Sequence, residues 1–171
     1  MKPLKAILNF RMLLLAVVML FCAVPSFAQP DLPQRTITVT AIQLLHFGTF
    51  CVSGSGGTVV VGYDGTRTAT GGVSLISASP TAQPAIFEVK ICPGRNVVIT
   101  YDATAILTGS SGGTLTMDIG PTEKGPSGST FTTTADCNFV TPIRVGGTLH
   151  VPAGATSGTY EGTFSITFNR E

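Results

Sequence analysis

Thr159-Tyr160-Glu161-Gly162-Thr163-Phe164-Ser165-Ile166-Thr167-Phe168-Asn169 alternates without a break. Tyr160, Gly162, Phe164, Ile166 and Phe168 share one side, and the polar residues share the other. A period of two is the mark of a β-strand with one face buried and one face wet. Glu171 follows two residues on, so a neighbour for this strand is expected from earlier in the chain or from another molecule. That choice separates the two functional readings developed below.

Working outward, the same period recurs along the chain. Residues 36–44 alternate, with Ile37, Val39 and Ala41 on one face and Thr36, Thr38 and Thr40 on the other. Further strands are expected at 58–63, 66–70, 73–76, 86–91, 96–101 and 115–119. Shorter ones are expected at 131–135, 139–145 and 148–151. Asp64-Gly65 reads as a two-residue hairpin turn of type I′. Cys92-Pro93-Gly94 reads as the turn of a second hairpin, joining 86–91 to 96–101. Pro142 inside a strand implies an edge or a bulge. Three stretches rich in Gly and Ser or Pro read as loops: 53–57, 109–113 and 120–129. No stretch has a helical period. Short strands every 8 to 12 residues indicate an all-β sandwich or barrel. The expected fold is an immunoglobulin-like Greek-key sandwich.

The first residues stand apart from this pattern. Lys2, Lys5 and Arg11 precede an apolar run over 12–24, and Ser26-Phe27-Ala28 offers small residues at a cleavage site. These are the parts of a secretory signal peptide, 1–28, cleaved after Ala28. Pro30 and Pro33 make 29–35 a flexible extension. Residues 36–171 are expected to form one domain, with no membrane span in the mature chain. Removal of the leader leaves seven basic residues against nine acidic ones, a net charge of about −2. That balance gives no basic face for nucleic acid. Cys51, Cys92 and Cys137 remain, and an oxidising compartment favours one disulfide among them. The sequence leaves open which two pair.

Residues suited to chemistry are few. His46 and His150 lack further ligands at metal-binding spacing. Asp102, Asp118 and Asp136 read as turn residues at strand ends. Ser53-Gly54-Ser55-Gly56-Gly57 has neither the Lys nor the helix of a phosphate loop. No serine has a base in sequence context. The chain is therefore expected to be no enzyme, with no cofactor and no metal.

Several segments carry a family resemblance. Leu45-His46-Phe47-Gly48-Thr49-Phe50 is one, and Asp64-Gly65-Thr66-Arg67-Thr68-Ala69-Thr70-Gly71-Gly72-Val73 is another. Val145-Gly146-Gly147-Thr148-Leu149, Val151-Pro152-Ala153 and Gly158-Thr159-Tyr160-Glu161-Gly162-Thr163-Phe164 complete the set. Together they resemble an uncharacterised bacterial domain family whose members are exported and often lie near fimbrial chaperone and usher components. The closing strand is also similar to the pilins of the chaperone–usher pathway and to spore-coat-U-like subunits. The cysteines do not follow a pattern expected of that family.

The resemblance implies a structural subunit of a cell-surface fimbria, assembled by β-strand addition. A pilin of this kind is an incomplete immunoglobulin sandwich, and a strand from the next subunit fills the groove beside its last strand. The implied partners are neighbouring pilin subunits, a periplasmic chaperone and an outer-membrane usher. The implied route runs through the periplasm to the cell surface. On this reading residues 36–44 are the donor strand, with Ile37, Val39 and Ala41 as the donated side chains. Tyr160, Phe164, Ile166 and Phe168 line the acceptor groove. The competing expectation is an ordinary first strand that pairs with 159–169 of its own chain. The alternative function is a monomeric exported binding or adhesion module that uses its Gly/Ser-rich loops.

Overall fold

The computed structural model describes residues 36–134 and 136–171. The expected signal peptide (1–28) and extension (29–35) lie outside them. The described residues fall within one compact unit, Gln34–Glu171, and they contain strands and no helix. In chain order these are β1 Thr38–Gln43, β2 Phe50–Val61, β3 Arg67–Leu75, β4 Ala85–Lys90, β5 Asn96–Tyr101 and β6 Thr104–Gly109. There follow β7 Thr114–Thr122, β8 Thr130–Thr132, β9 Thr141–Val151, β10 Tyr160–Glu161 and β11 Ile166–Arg170.

Every pairing is antiparallel. The larger sheet runs β1-β4-β9-β7-β6-β10, and the smaller runs β11-β5-β8. β9 is long enough to serve two neighbours on one edge. Its residues 141–145 pair with β4 and its residues 147–151 pair with β2, which carries β3 as a hairpin. Alternation along the strands sends one set of side chains between the sheets. Val89 and Ile143 of the larger sheet meet Val97, Ile99 and Phe168 of the smaller in one core cluster. A second cluster gathers Val59, Val61, Leu115, Met117, Val145 and Leu149 under the loop residue Phe47.

Six of the strands reproduce a known order. Named A to F in chain order, β1, β4, β5, β7, β9 and β11 place A-B-E-D in one sheet and F-C in the other. An immunoglobulin sandwich sets A-B-E-D against C-F-G. The fold is thus an all-β, immunoglobulin-like sandwich, and no described strand stands at the G position. The β2–β3 hairpin, β6, β8 and β10 are additions to this frame.

Several local expectations are corrected. The closing strand is two strands. Tyr160 and Glu161 pair with β6 in the larger sheet, and residues 166–170 pair with β5 in the smaller one. Between them the chain crosses the sandwich, passing so close to β6 that a Cβ on Gly162 would collide with the carbonyl of Ile106. The inward alternation nevertheless survives the crossing: Tyr160, Phe164 and Ile166 are half-buried and Phe168 is buried, while the polar residues between them are exposed.

Residues 86–91 and 96–101 form no hairpin. Val89, Ile91, Val97 and Ile99 face one another across the core instead of lying side by side. Residues 53–57 are no loop but the middle of β2, where the register with β3 shifts between Val52 and Gly57. The turn at Asp64-Gly65 is not type I′, which needs positive φ at both central residues. Only Gly65 is positive, at 84°. Gly65 N donates to Gly62 O at 3.0 Å, and Gly62 N donates to Thr66 O at 2.8 Å. This is the three-residue loop, a type I turn closed by a left-handed glycine. Asp64 suits it because Oδ1 accepts from both Thr66 N (3.0 Å) and Thr66 Oγ1 (2.7 Å). β6 was not expected at all, because Ala105-Ile106-Leu107 is a continuous apolar run with Ile106 left 55% exposed.

Pro142 lies in a strand that is central over most of its length. Glu123 N donates to Arg144 O at 2.9 Å, so even-numbered residues in this part of β9 direct their main chain toward β7. The register of β7 with β9 ends at Thr122 and Val145. The missing N–H of Pro142 therefore points where β7 no longer runs, and no ladder bond is lost.

The disulfide is Cys92–Cys137. It ties the β4–β5 connection to the loop before β9. Cys51, on β2, is a free and exposed thiol. The bridge fits an oxidising compartment.

Candidate interface at the open edges of the sandwich

Hydrogen-bond parity shows which groups the sheet edges leave open. At β11, Glu171 N donates to Asn96 O at 3.0 Å. In an antiparallel ladder such bonding alternates with every residue. Thr167 and Asn169 therefore direct their main chain at Thr100 and Val98 of β5. Ile166 and Phe168 direct theirs away from β5. The far side of β5 agrees: Ile99, opposite Phe168, bonds instead with the 128–129 segment, through Gly128 N to Ile99 O (2.7 Å) and Ile99 N to Ser129 O (3.0 Å). Among the described residues nothing pairs with the outer main-chain groups of Ile166 and Phe168.

β1 is the edge of the other sheet. The parity of β9 turns Val89 and Phe87 toward Thr141 and Ile143, which leaves Glu88 and Lys90 to bond β1. Thr40 and Thr38, their partners, are thus held to β4, while Val39 and Ala41 direct their main chain outward. Their side chains share the face of their cross-strand partners Val89 and Phe87, the face that looks into the sandwich. Yet Val39 is 39% exposed and Ala41 is exposed, whereas Val89 is fully buried. Ile37 alone of the three packs on the core, in the cluster that holds Phe168. The sandwich is therefore closed at β4 and open at β1.

The sequence-expected residues fall into two groups at this opening. Ile37, Val39 and Ala41 lie on or next to β1, which pairs within its own chain, with β4 and not with 159–169. Phe164 and Phe168 pack on Phe87 with ring centroids 6.2 Å away in each case, the first pair edge-to-face at 76°. Ile166 touches both core clusters. Tyr160 is separate from these. It sits in β10, and its hydroxyl donates to Thr156 O at 2.7 Å. Phe87, inward-facing by its alternation with Val89 and Ile91, stands outside the set expected to line the groove. Only the pairing of β4 with both β1 and β9 makes it the centre of the opening.

The loops proposed for binding are stitched into the fold. Gly109 N donates to Gly113 O at 3.0 Å, which closes the β6–β7 hairpin. The 120–129 segment turns through Thr122 and Gly125 and then bonds β5 at Ile99, while Ser127 Oγ bonds both main-chain groups of Tyr101. His150 Nε2 lies 2.7 Å from Asp118 Oδ2 on the outer face. Asp136 Oδ1 accepts from Cys137 N at 2.6 Å. Among the described residues no three metal-ligating side chains come together, and no helix is long and apolar enough to cross a membrane.

No curated protein and no solved structure matches the chain. One family does: residues 37–169, nearly everything from the start of β1 to the last residues of β11, match the domain of unknown function DUF4402. The chain belongs to the DUF4402 family.

Proposed function

We propose that this chain is exported and serves as a structural subunit of a surface fimbria, joined to its neighbours by β-strand addition. The observation that carries the reading is the outer edge of β11. It offers the main chain of Ile166 and Phe168 at the position where an immunoglobulin sandwich has its G strand. Beside it lie aromatic side chains already seated on Phe87. An added strand gains affinity from main-chain bonds and register from alternate side chains.

The donated strand is β1 of another copy, with Ile37, Val39 and Ala41 facing inward. β1 suits exchange because its own chain holds it by one edge and covers its apolar side chains poorly. Completing the burial of a Val or Ile contributes up to about 1.5–3 kcal/mol per side chain. A chaperone strand fills the β11 edge before assembly, and an usher conducts the subunit to the surface. The chain has no catalytic role.

The test is Val39→Asp in the mature chain. A carboxylate at a position that is 39% exposed in the free subunit leaves the fold intact but is excluded from a neighbour's groove. Subunit chains are lost and the chaperone complex persists. Normal polymer from Val39→Asp rules out β1 as donor.

A further inference from the structure

Arg67 opens β3 opposite Val61, and its guanidinium is held without a counter-charge. Nη2 donates to Thr49 O at 2.8 Å and Nη1 to Ile76 O at 3.2 Å. Nε is buried with no hydrogen-bond partner. The ion pairs among the described residues are Arg144–Glu123 and His150–Asp118, so no carboxylate stands within 4.0 Å of Arg67. Its carbon packs on the main chain at Gly48, where a Cβ would lie 3.1 Å away.

A guanidinium has five donors in a planar fork and pairs best with a carboxylate. Two neutral carbonyls use part of that fork and none of its charge. Beside it is a surface cavity of about 460 Å³, in the size range that takes small ligands. Ser77, Ser79 and Thr81 line it together with Arg67, and Ile76 and Ala78 supply apolar wall. The three hydroxyls bond no protein atom among the described residues, and Ile76 is 37% exposed.

We propose that this cavity binds a carboxylate borne on a small polyol, the chemistry of an acidic sugar. The carboxylate, one negative charge for one positive, takes the Nη hydrogens that Ile76 O and Thr49 O leave unused. The hydroxyls of Ser77, Ser79 and Thr81 bond those of the sugar. Ile76 and Ala78 meet the C–H face of its ring. Burial lowers the Arg67 pKa from its ordinary value, as expected of a cation that lacks an anionic neighbour. The site lies on the β3–β4 connection and owes nothing to either open edge.

The test is a titration of the mature chain followed by NMR, with glucuronate, glucose and acetate as three separate probes. Glucuronate shifts the Arg67 Nε–H and the amides of 77–82, and binds at least tenfold more tightly than glucose or acetate. Arg67→Gln removes the response. Because Arg67 also clips two loop carbonyls, Ala78→Glu is the second variant. It leaves the clip in place, sets a negative charge on the cavity wall, and weakens glucuronate at least tenfold. Glucose binding as well as glucuronate overturns the role of the carboxylate. Acetate binding as well as glucuronate reduces the site to an adventitious anion site. Unaltered glucuronate affinity in Ala78→Glu, or shifts away from Arg67 and 77–82, refutes the proposal outright.

Discussion

Replacing Ile166 by proline, with Thr167→Pro as its counterpart, isolates the open edge of β11. The two substitutions are adjacent, but their amides point in opposite directions. Ile166 N–H looks outward, so proline there removes no bond of the subunit's own ladder. It replaces a half-buried isoleucine by a slightly smaller apolar ring. At about 0.8 kcal/mol per buried methylene, the folded subunit loses under about 1 kcal/mol. Thr167 N–H looks inward at Thr100. Proline there forfeits a bond worth about 0.5–1.5 kcal/mol and strands a carbonyl at about 1–3 kcal/mol, a loss of about 2–4 kcal/mol. For a domain of this size each kcal/mol lowers Tm by roughly 3–5 °C. Ile166→Pro should therefore melt within about 5 °C of the parent, and Thr167→Pro roughly 10 °C lower. Assembly should invert that ranking of harm, because the ring at 166 projects into the path of an added strand. The well-folded Ile166→Pro subunit should form no chains, by light scattering or electron microscopy. The reasoning is refuted if Ile166→Pro is as destabilised as Thr167→Pro, or if it assembles normally.

Other expectations concern the fold itself. Reduction, or Cys92→Ala with Cys137→Ala, opens a loop with a sequence separation of 45; chain entropy puts the loss near 4 kcal/mol, measured by denaturant titration, while Cys51→Ser leaves stability unchanged. Phe87→Ala removes the ring that seats both Phe164 and Phe168 and should cost about 3 kcal/mol, with weakened amide protection at Thr167 and Asn169, the residues bonded to β5. Hydrogen bonds from Thr66 hold the Asp64 pKa below its ordinary value. A pKa lowered in the folded state stabilises above the unfolded value, and that contribution fades as pH falls through the folded one. The stability gap between the parent and Asp64→Asn should thus be open at neutral pH and closed in acid. A gap that widens in acid contradicts the assignment.

The fold class was legible because its signal is short-range. Alternation at 86–91, 96–101 and 115–119 marks the core of β4, β5 and β7, and the inward set of 160–168 is legible even across a change of sheet. What the sequence concealed is which strand lies beside which. Residues 86–91 and 96–101 flank a turn and look like hairpin arms, but both are apolar enough to face each other through the core. The break at Gly162 leaves no trace in the period, because glycine falls on the inward register where a side chain would strike Ile106. The candidate interface was half legible. The side chains of 37, 39 and 41 stand out, but their attachment to β4 follows from pairing that periodicity does not encode. Arg67 gave no warning, since one arginine at a strand start looks like any solvated charge.

Amide hydrogen exchange on the free subunit and on the assembled fibre tests the central claim most directly. Thr167 and Asn169 should be protected in both forms, being bonded to β5. Ile166 and Phe168 should exchange freely in the subunit and become protected in the fibre, as a strand of another copy takes up their N–H groups. Protection of Ile166 and Phe168 already in the monomer, or exposure of both in the fibre, would contradict it.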